Sequence, residues 1–296
     1  MTLLVSETPA IVPLSQPGKL GAELSLVLAT ALAAISLGGV ALPGTYAHDT
    51  PAWAAQAIGQ GWFDLVVAVP FLALVARRAE HGSRRGRLLL ASALLYAGYE
   101  LVIYAFGVRF NSLFLLYCGA LGVALLAQIA VAVSLLQAPG PGWPAGTPVK
   151  TVAAVLFGTG SLFAFLWLAE ILPAMAHGGT PASIAAAGVP TNPVHVMDLS
   201  AILPAHVAAA ALVLRRRRLG EVLATVLLGF DFLMSASIGG MLVVMRLRGF
   251  QASAGVIVGM TALALTDAVL LWPALRAGGP PANPRDSASS PPARTP

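Results

Sequence analysis

Eight apolar runs constrain this chain more than any other feature. Their approximate bounds are 21–42, 61–76, 88–107, 113–137, 150–172, 194–214, 219–245 and 252–275. A helix rises ~1.5 Å per residue, so about 20 residues cross the ~30 Å hydrocarbon core of a bilayer. In lipid the backbone must satisfy its own hydrogen bonds, which leaves helices or closed barrels. These runs are too long and too uniformly apolar for barrel strands. The expected fold is therefore an all-α polytopic membrane protein with eight transmembrane helices. Composition agrees: 57% of residues are hydrophobic and only 10% charged, against roughly 25% charged in soluble domains. The first run has a rival reading as a signal peptide, since Lys19 precedes it and Thr45-Tyr46-Ala47 ends in a small residue. It is long for that role, and a retained helix is expected.

The net charge of +5 does not point to nucleic acid, because the basic residues sit in short loops between apolar runs. With the N-terminus inside, Lys19, the Arg77–Arg87 cluster, Lys150, Arg215 to Arg218, Arg276, Arg285 and Arg294 are all cytoplasmic. Only Arg109, Arg246 and Arg248 fall outside. That bias predicts both termini in the cytoplasm of a protein spanning the inner (plasma) membrane. Arg215 to Arg218 reads as an anchor for lipid headgroups. The single cysteine, Cys118, excludes a disulfide framework and is expected to be buried packing.

A shift of about 130 residues superposes several features, the sign of an internal repeat. Leu42-Pro43 falls on Leu172-Pro173, and Thr50-Pro51-Ala52 on Thr180-Pro181-Ala182. Asp64-Leu65 with Pro70 falls on Asp198-Leu199 with Pro204, and Gly98-Tyr99-Glu100 on Gly229-Phe230-Asp231. Two tandem four-helix units follow, 19–138 and 151–277, joined by a linker at 139–150 rich in proline and glycine. Residues 1–18 and 278–296 read as polar, proline-dotted tails. Units with an even number of spans share one orientation, as in the parallel repeats of some transporters. Chance alignment of alanine- and leucine-rich helices is the competing account.

An acid inside a spanning helix costs ~2.5–3.5 kcal/mol at the helix centre, so each is a functional candidate. Asp64, Glu100, Glu170, Asp198, Asp231 and Asp267 qualify. Asp64 and Asp198 are expected near the outer ends of the second and sixth spans, Glu170 near the outer end of the fifth, and Glu100 in the outer half of the third. Asp231 falls near mid-membrane and Asp267 toward the cytoplasm. The polar residues thus gather on the outer side.

His195 and Asp198, three apart, are neighbours on one helical face. Such a pair can orient an imidazole as a base, hold a metal or relay a proton, or it can simply be a surface pair. Tyr96, Glu100 and Tyr104 form a polar-aromatic stripe suited to an amphiphilic or cationic ligand, or to an interhelical seam. Pro70 and Pro204 release the carbonyls of Val66 and Ser200, which suggests helices lining a cavity or kinks satisfied by a neighbour. His206, one turn on, is expected to pack or bond to a neighbouring helix. Arg109 and Asn111 can pair with acids or bind an anion. A metal site from His48, His177 and His195 is conceivable, but no zinc, nucleophile-elbow or cysteine-pair motif supports one. No cofactor is called for.

Tyr104-Ala-Phe-Gly107 with Phe110-Asn-Ser-Leu-Phe-Leu-Leu-Tyr117 resembles a family of uncharacterised bacterial multi-pass membrane proteins. Trp167-Leu-Ala-Glu-Ile-Leu-Pro173 and Pro190-Thr-Asn-Pro-Val-His-Val-Met-Asp-Leu199 are similar to other motifs of that family. Its pattern carries a proline after the asparagine, where this chain has Ser112. The resemblance implies a multi-pass fold and no particular activity.

Three functions remain open on these grounds. The first is a small transporter or ligand-binding protein with an outward-facing polar cavity between the repeats. There Asp64, Glu100, Tyr96, Tyr104, Asp198 and Asp231 would bind ligand or couple protons. The second is a membrane-embedded enzyme acting on a lipid-like substrate at the outer leaflet through His195, Asp198 and Glu170. The third is a structural or sensory protein without a site. Expected partners are membrane lipids and a small-molecule or lipid ligand; oligomeric state is left open.

Overall fold

The structure is a computed structural model and describes residues 16–138, 140 and 142–276. The tail readings for 1–15 and 278–296, with Arg285 and Arg294, and linker positions 139 and 141 lie outside the described residues. Within them are eight helices long and apolar enough to cross a membrane. These are α1 (Pro17–Ala41), α2 (Pro51–Glu80), α3 (Arg84–Gly107), α4 (Phe114–Gln137), α5 (Val149–Ala176), α7 (Pro193–Leu214), α8 (Arg218–Leu247) and α9 (Ala254–Arg276). A short helix, α6 (Ala182–Ala187), lies between α5 and α7.

The start of α2 differs from expectation. It begins at Pro51 rather than near residue 61, because Thr50 caps it, accepting from the Trp53 N–H at 3.3 Å, and Pro51 has no N–H to lose. Gln56, Gly59 and Gln60 read as loop residues, yet in the fold this stretch packs on α8 and is helical. The correction moves Asp64 from the outer end of its helix to mid-depth. Smaller corrections follow the same logic. The first helix starts at Pro17, inside the stretch read as a tail, α5 starts at Val149, inside the stretch read as linker, and α5 continues through Pro173 to Ala176.

The two Asp-Leu…Pro segments share a local structure. Asp64–Ala68 and Asp198–Ile202 are each one π turn, in which the Val69 and Leu203 N–H groups donate to the Asp64 and Asp198 carbonyls. Each π turn leads directly into Pro70 or Pro204, which lacks the N–H for a normal α-helical bond.

Helices α1 to α4 close a ring, with α1 packed on α2 and α4, and α3 on α2 and α4. In the second unit α7 packs on α5 and α8, and α8 on α9, but α9 does not close back onto α5. Between the units, α8 packs on α2 and α3. Small residues permit that approach: a Cβ on Gly59 of α2 would stand 2.9 Å from the Met241 carbonyl oxygen of α8. Outward faces carry large apolar side chains such as Leu115, Phe165, Leu172 and Val269. Cys118 also faces outward on α4, contrary to its expected burial.

Candidate functional site

A cavity of about 520 Å³ lies between the two units. Its wall is formed by α2 and α3 of the first unit and by α5, α7, α8 and α9 of the second. It extends from mid-depth toward the end opposite the Arg77–Arg87 and Arg215 to Arg218 clusters. Trp53, Tyr99, Tyr104, Phe163, Trp167 and Phe230 supply aromatic surface, and Glu100, Asp198 and Asp231 supply carboxyl groups. Among the described residues, no lysine or arginine lines it.

The first acidic cluster joins α1, α2, α3 and α8. Asp64, fully buried, accepts from Tyr96 and Gln60 at 3.1 Å each and from Ser36 at 3.2 Å. Gln60 is fixed in turn by Ser237 of α8, whose hydroxyl donates to its carbonyl at 2.7 Å. The Glu100 carboxyl lies one turn from Tyr96 on α3, and neither of its oxygens, though buried, has a hydrogen-bond partner among the described residues.

The second cluster joins α7 and α8. His206 Nε2 meets Asp231 at 2.9 and 3.0 Å, and its Nδ1 meets the Ile202 carbonyl at 2.7 Å. A carbonyl only accepts, so Nδ1 carries hydrogen. The Nε2 contact then holds one proton, on the imidazole or on the carboxyl. Asp267 of α9 is fully buried behind the wall, and neither of its oxygens has a partner among the described residues.

Asp198 accepts from the Tyr99 hydroxyl at 3.0 Å and from the Trp167 indole at 2.8 Å. It does not bond to His195, its neighbour on the helix. The His195 ring packs tilted against Trp167 with centroids 4.7 Å apart, and both of its nitrogens are buried without a partner among the described residues. Glu170 takes the Ser183 N–H at 2.7 Å and hydroxyl at 3.1 Å, tying α5 to α6. His195, Asp198 and Glu170 therefore do not form one hydrogen-bonded constellation.

Arg109 and Asn111 make loop contacts. The Arg109 N–H donates to Asp49 at 3.0 Å and its guanidinium to the Gly188 carbonyl at 3.1 Å, while Asn111 accepts from the Leu113 N–H at 2.9 Å. Half-burial raises the Asp49 carboxyl above its ordinary range, opposed by the Arg109 N–H and charge. Thr50 adds a bond to the Ala186 carbonyl at 3.0 Å. Together they clasp the α1–α2 loop over the loop around α6.

His48 and His177 are exposed and His195 is buried, so the conceivable metal trio is not assembled. Among the described residues no three His, Cys, Asp or Glu are placed to hold a metal. Tyr96, Glu100 and Tyr104 line the cavity, and the two tyrosines also form an interhelical seam with α2, Tyr96 donating to Asp64 and Tyr104 to the Ala57 carbonyl. Gln60, Tyr99, Trp167 and Ser237 were missed as partners. The available signal was Gln56 and Gln60 one turn apart, hidden in a segment read as loop. Comparisons with protein-family models, curated proteins and solved structures find no match for the chain.

Proposed function

We propose that the protein is a small transporter or ligand-binding protein of the inner (plasma) membrane, with its cavity facing outward. One observation carries this reading: a cavity of about 520 Å³ between two helix units, walled by buried acids from both. Burying acids in a spanning bundle is costly, and a site that uses them offsets that cost.

Ligand binding is linked to protons at two places. Glu100 lies on α3 between Tyr96 and Tyr104 and borders the cavity. Asp231 borders it too and bonds to His206. Glu100→Gln and Asp231→Asn are expected to abolish pH-dependent ligand binding while leaving the helical bundle folded. The first measurement is native mass spectrometry in mild detergent to find co-purifying molecules, followed by binding at several pH values. Unchanged pH-dependent binding in both variants would sink the proposal.

The enzyme reading keeps one supporting observation, the two unpartnered nitrogens of His195 at the cavity wall. Turnover of a lipid-like substrate that survived His195→Ala would remove it.

A further inference from the structure

Hydrogen-bond accounting in the cavity wall is unbalanced. The Tyr96 hydroxyl donates to Asp64, the Tyr99 hydroxyl and Trp167 indole to Asp198, and the Trp53 indole to the Gly107 carbonyl. These donors are spent inside the protein. Acceptors remain: both oxygens of Glu100, 4% exposed, line the cavity with no partner among the described residues, while His195, also 4% exposed, leaves one donor and one acceptor nitrogen unpartnered and does not alter the balance. A buried acceptor without a donor is costly, so a wall with surplus acceptors favours a ligand that brings donors.

Charge and surface chemistry narrow the class. Among the described residues the lining holds three carboxyl-bearing residues, Glu100, Asp198 and Asp231, two histidines, His195 and His206, and no lysine or arginine. An anion would meet the carboxyls with no permanently charged cation beside them. The remaining surface is aromatic, including Tyr99, Tyr104, Phe163, Trp167 and Phe230, and aromatic faces attract cations as well as apolar bodies. Phe163 and Trp167 of α5 and Val256 and Met260 of α9 border the same cavity, although α9 packs on α8 rather than closely on α5.

We propose that the ligand is a protonated lipophilic amine, entering from the bilayer between α5 and α9 and turning its ammonium group to Glu100. This rests on the cavity reading above. The ammonium meets the unpartnered oxygens of Glu100, so binding of the cation and of a proton at that carboxyl compete. No bond is made or broken beyond the loss of that proton to water.

The test uses the full chain in lipid nanodiscs with three pyrene probes: pyrenemethylammonium, pyrenemethanol and pyrenecarboxylate. Energy transfer from Trp53 and Trp167 at the cavity wall reports occupancy. The ammonium probe is expected to bind saturably and at least about tenfold more tightly than the alcohol, with the carboxylate weakest. Glu100→Gln is expected to erase that preference while alcohol binding persists. Equal or tighter binding of the alcohol or carboxylate overturns the amine inference and leaves the cavity reading standing. A preference for the ammonium that survives in a folded Glu100→Gln protein also overturns it. Saturable binding by none of the three defeats both. Should Glu100→Gln fail to fold, the wild-type probe series still decides the sign of the charge preference.

Discussion

The phenol of Tyr99 on α3 donates to the Asp198 carboxyl of α7 at 3.0 Å, joining one helix unit to the other. Trp167 of α5 holds the other carboxyl oxygen at 2.8 Å. Asp198 is thus a junction of three helices at the cavity wall. Tyr99→Phe is expected to lower stability by about 1–2 kcal/mol, and a double-mutant cycle with Trp167→Phe to show coupling. Denaturant titration of the purified protein measures both. Additive single effects would mean that the two donors hold Asp198 independently.

The His206–Asp231 pair is buried, with His206 fully enclosed and Asp231 5% exposed. Removing one partner leaves the other's polar atoms stranded. His206→Ala is expected to cost about 3–5 kcal/mol, and Asp231→Ala added to it to recover part of that loss. Thermal unfolding of the three variants checks this. A double variant worse than either single would contradict it.

The seam between units depends on close approach at Gly59. A side chain there would meet the Met241 carbonyl. Gly59→Val is expected to destabilise by about 1–3 kcal/mol through overpacking. Gly119 on α4 has open space around it, and Gly119→Ala is the matched control with no packing loss. Comparable losses in the two would show that helix propensity or expression, rather than the seam, governs the effect.

The loop clasp is an exposed structure and should be weak. Arg109→Ala is expected to speed amide exchange in 182–188 with little change in global stability. Its pH dependence follows from Asp49, whose folded carboxyl sits above its ordinary range because of burial. The folded loop therefore binds the proton more tightly than the unfolded chain does. That contribution is fully present below the ordinary carboxyl range and is lost as pH rises through the raised value. Asp49→Asn should flatten the dependence of loop exchange on pH, and an unchanged profile would assign it to another group.

The line between what was legible in the chain and what was not runs through particular residues. The eight spans follow from apolar length, and all but one start or end within a few residues of expectation. The exception, α2, begins with glutamines and glycines whose polarity is absorbed by α8, a partner distant in sequence. Tyr96, Glu100 and Tyr104 share a face because a helix repeats every 3.6 residues, and that face does border the cavity.

His195 and Asp198 also share a helical face by spacing, yet Asp198 bonds to Tyr99 and Trp167 instead. Glu100 and Asp231 occupy matching places in the two Gly-aromatic-acid motifs, but Asp231 bonds to His206 while Glu100 has no partner among the described residues. Sequence by itself determined how many helices cross the membrane and which rare acids they carry inward, because both depend on local period and transfer cost. Which side chain each acid meets was decided only by tertiary structure. It depends on the rotation and depth at which helices pack, set by small residues such as Gly59 against partners far along the chain.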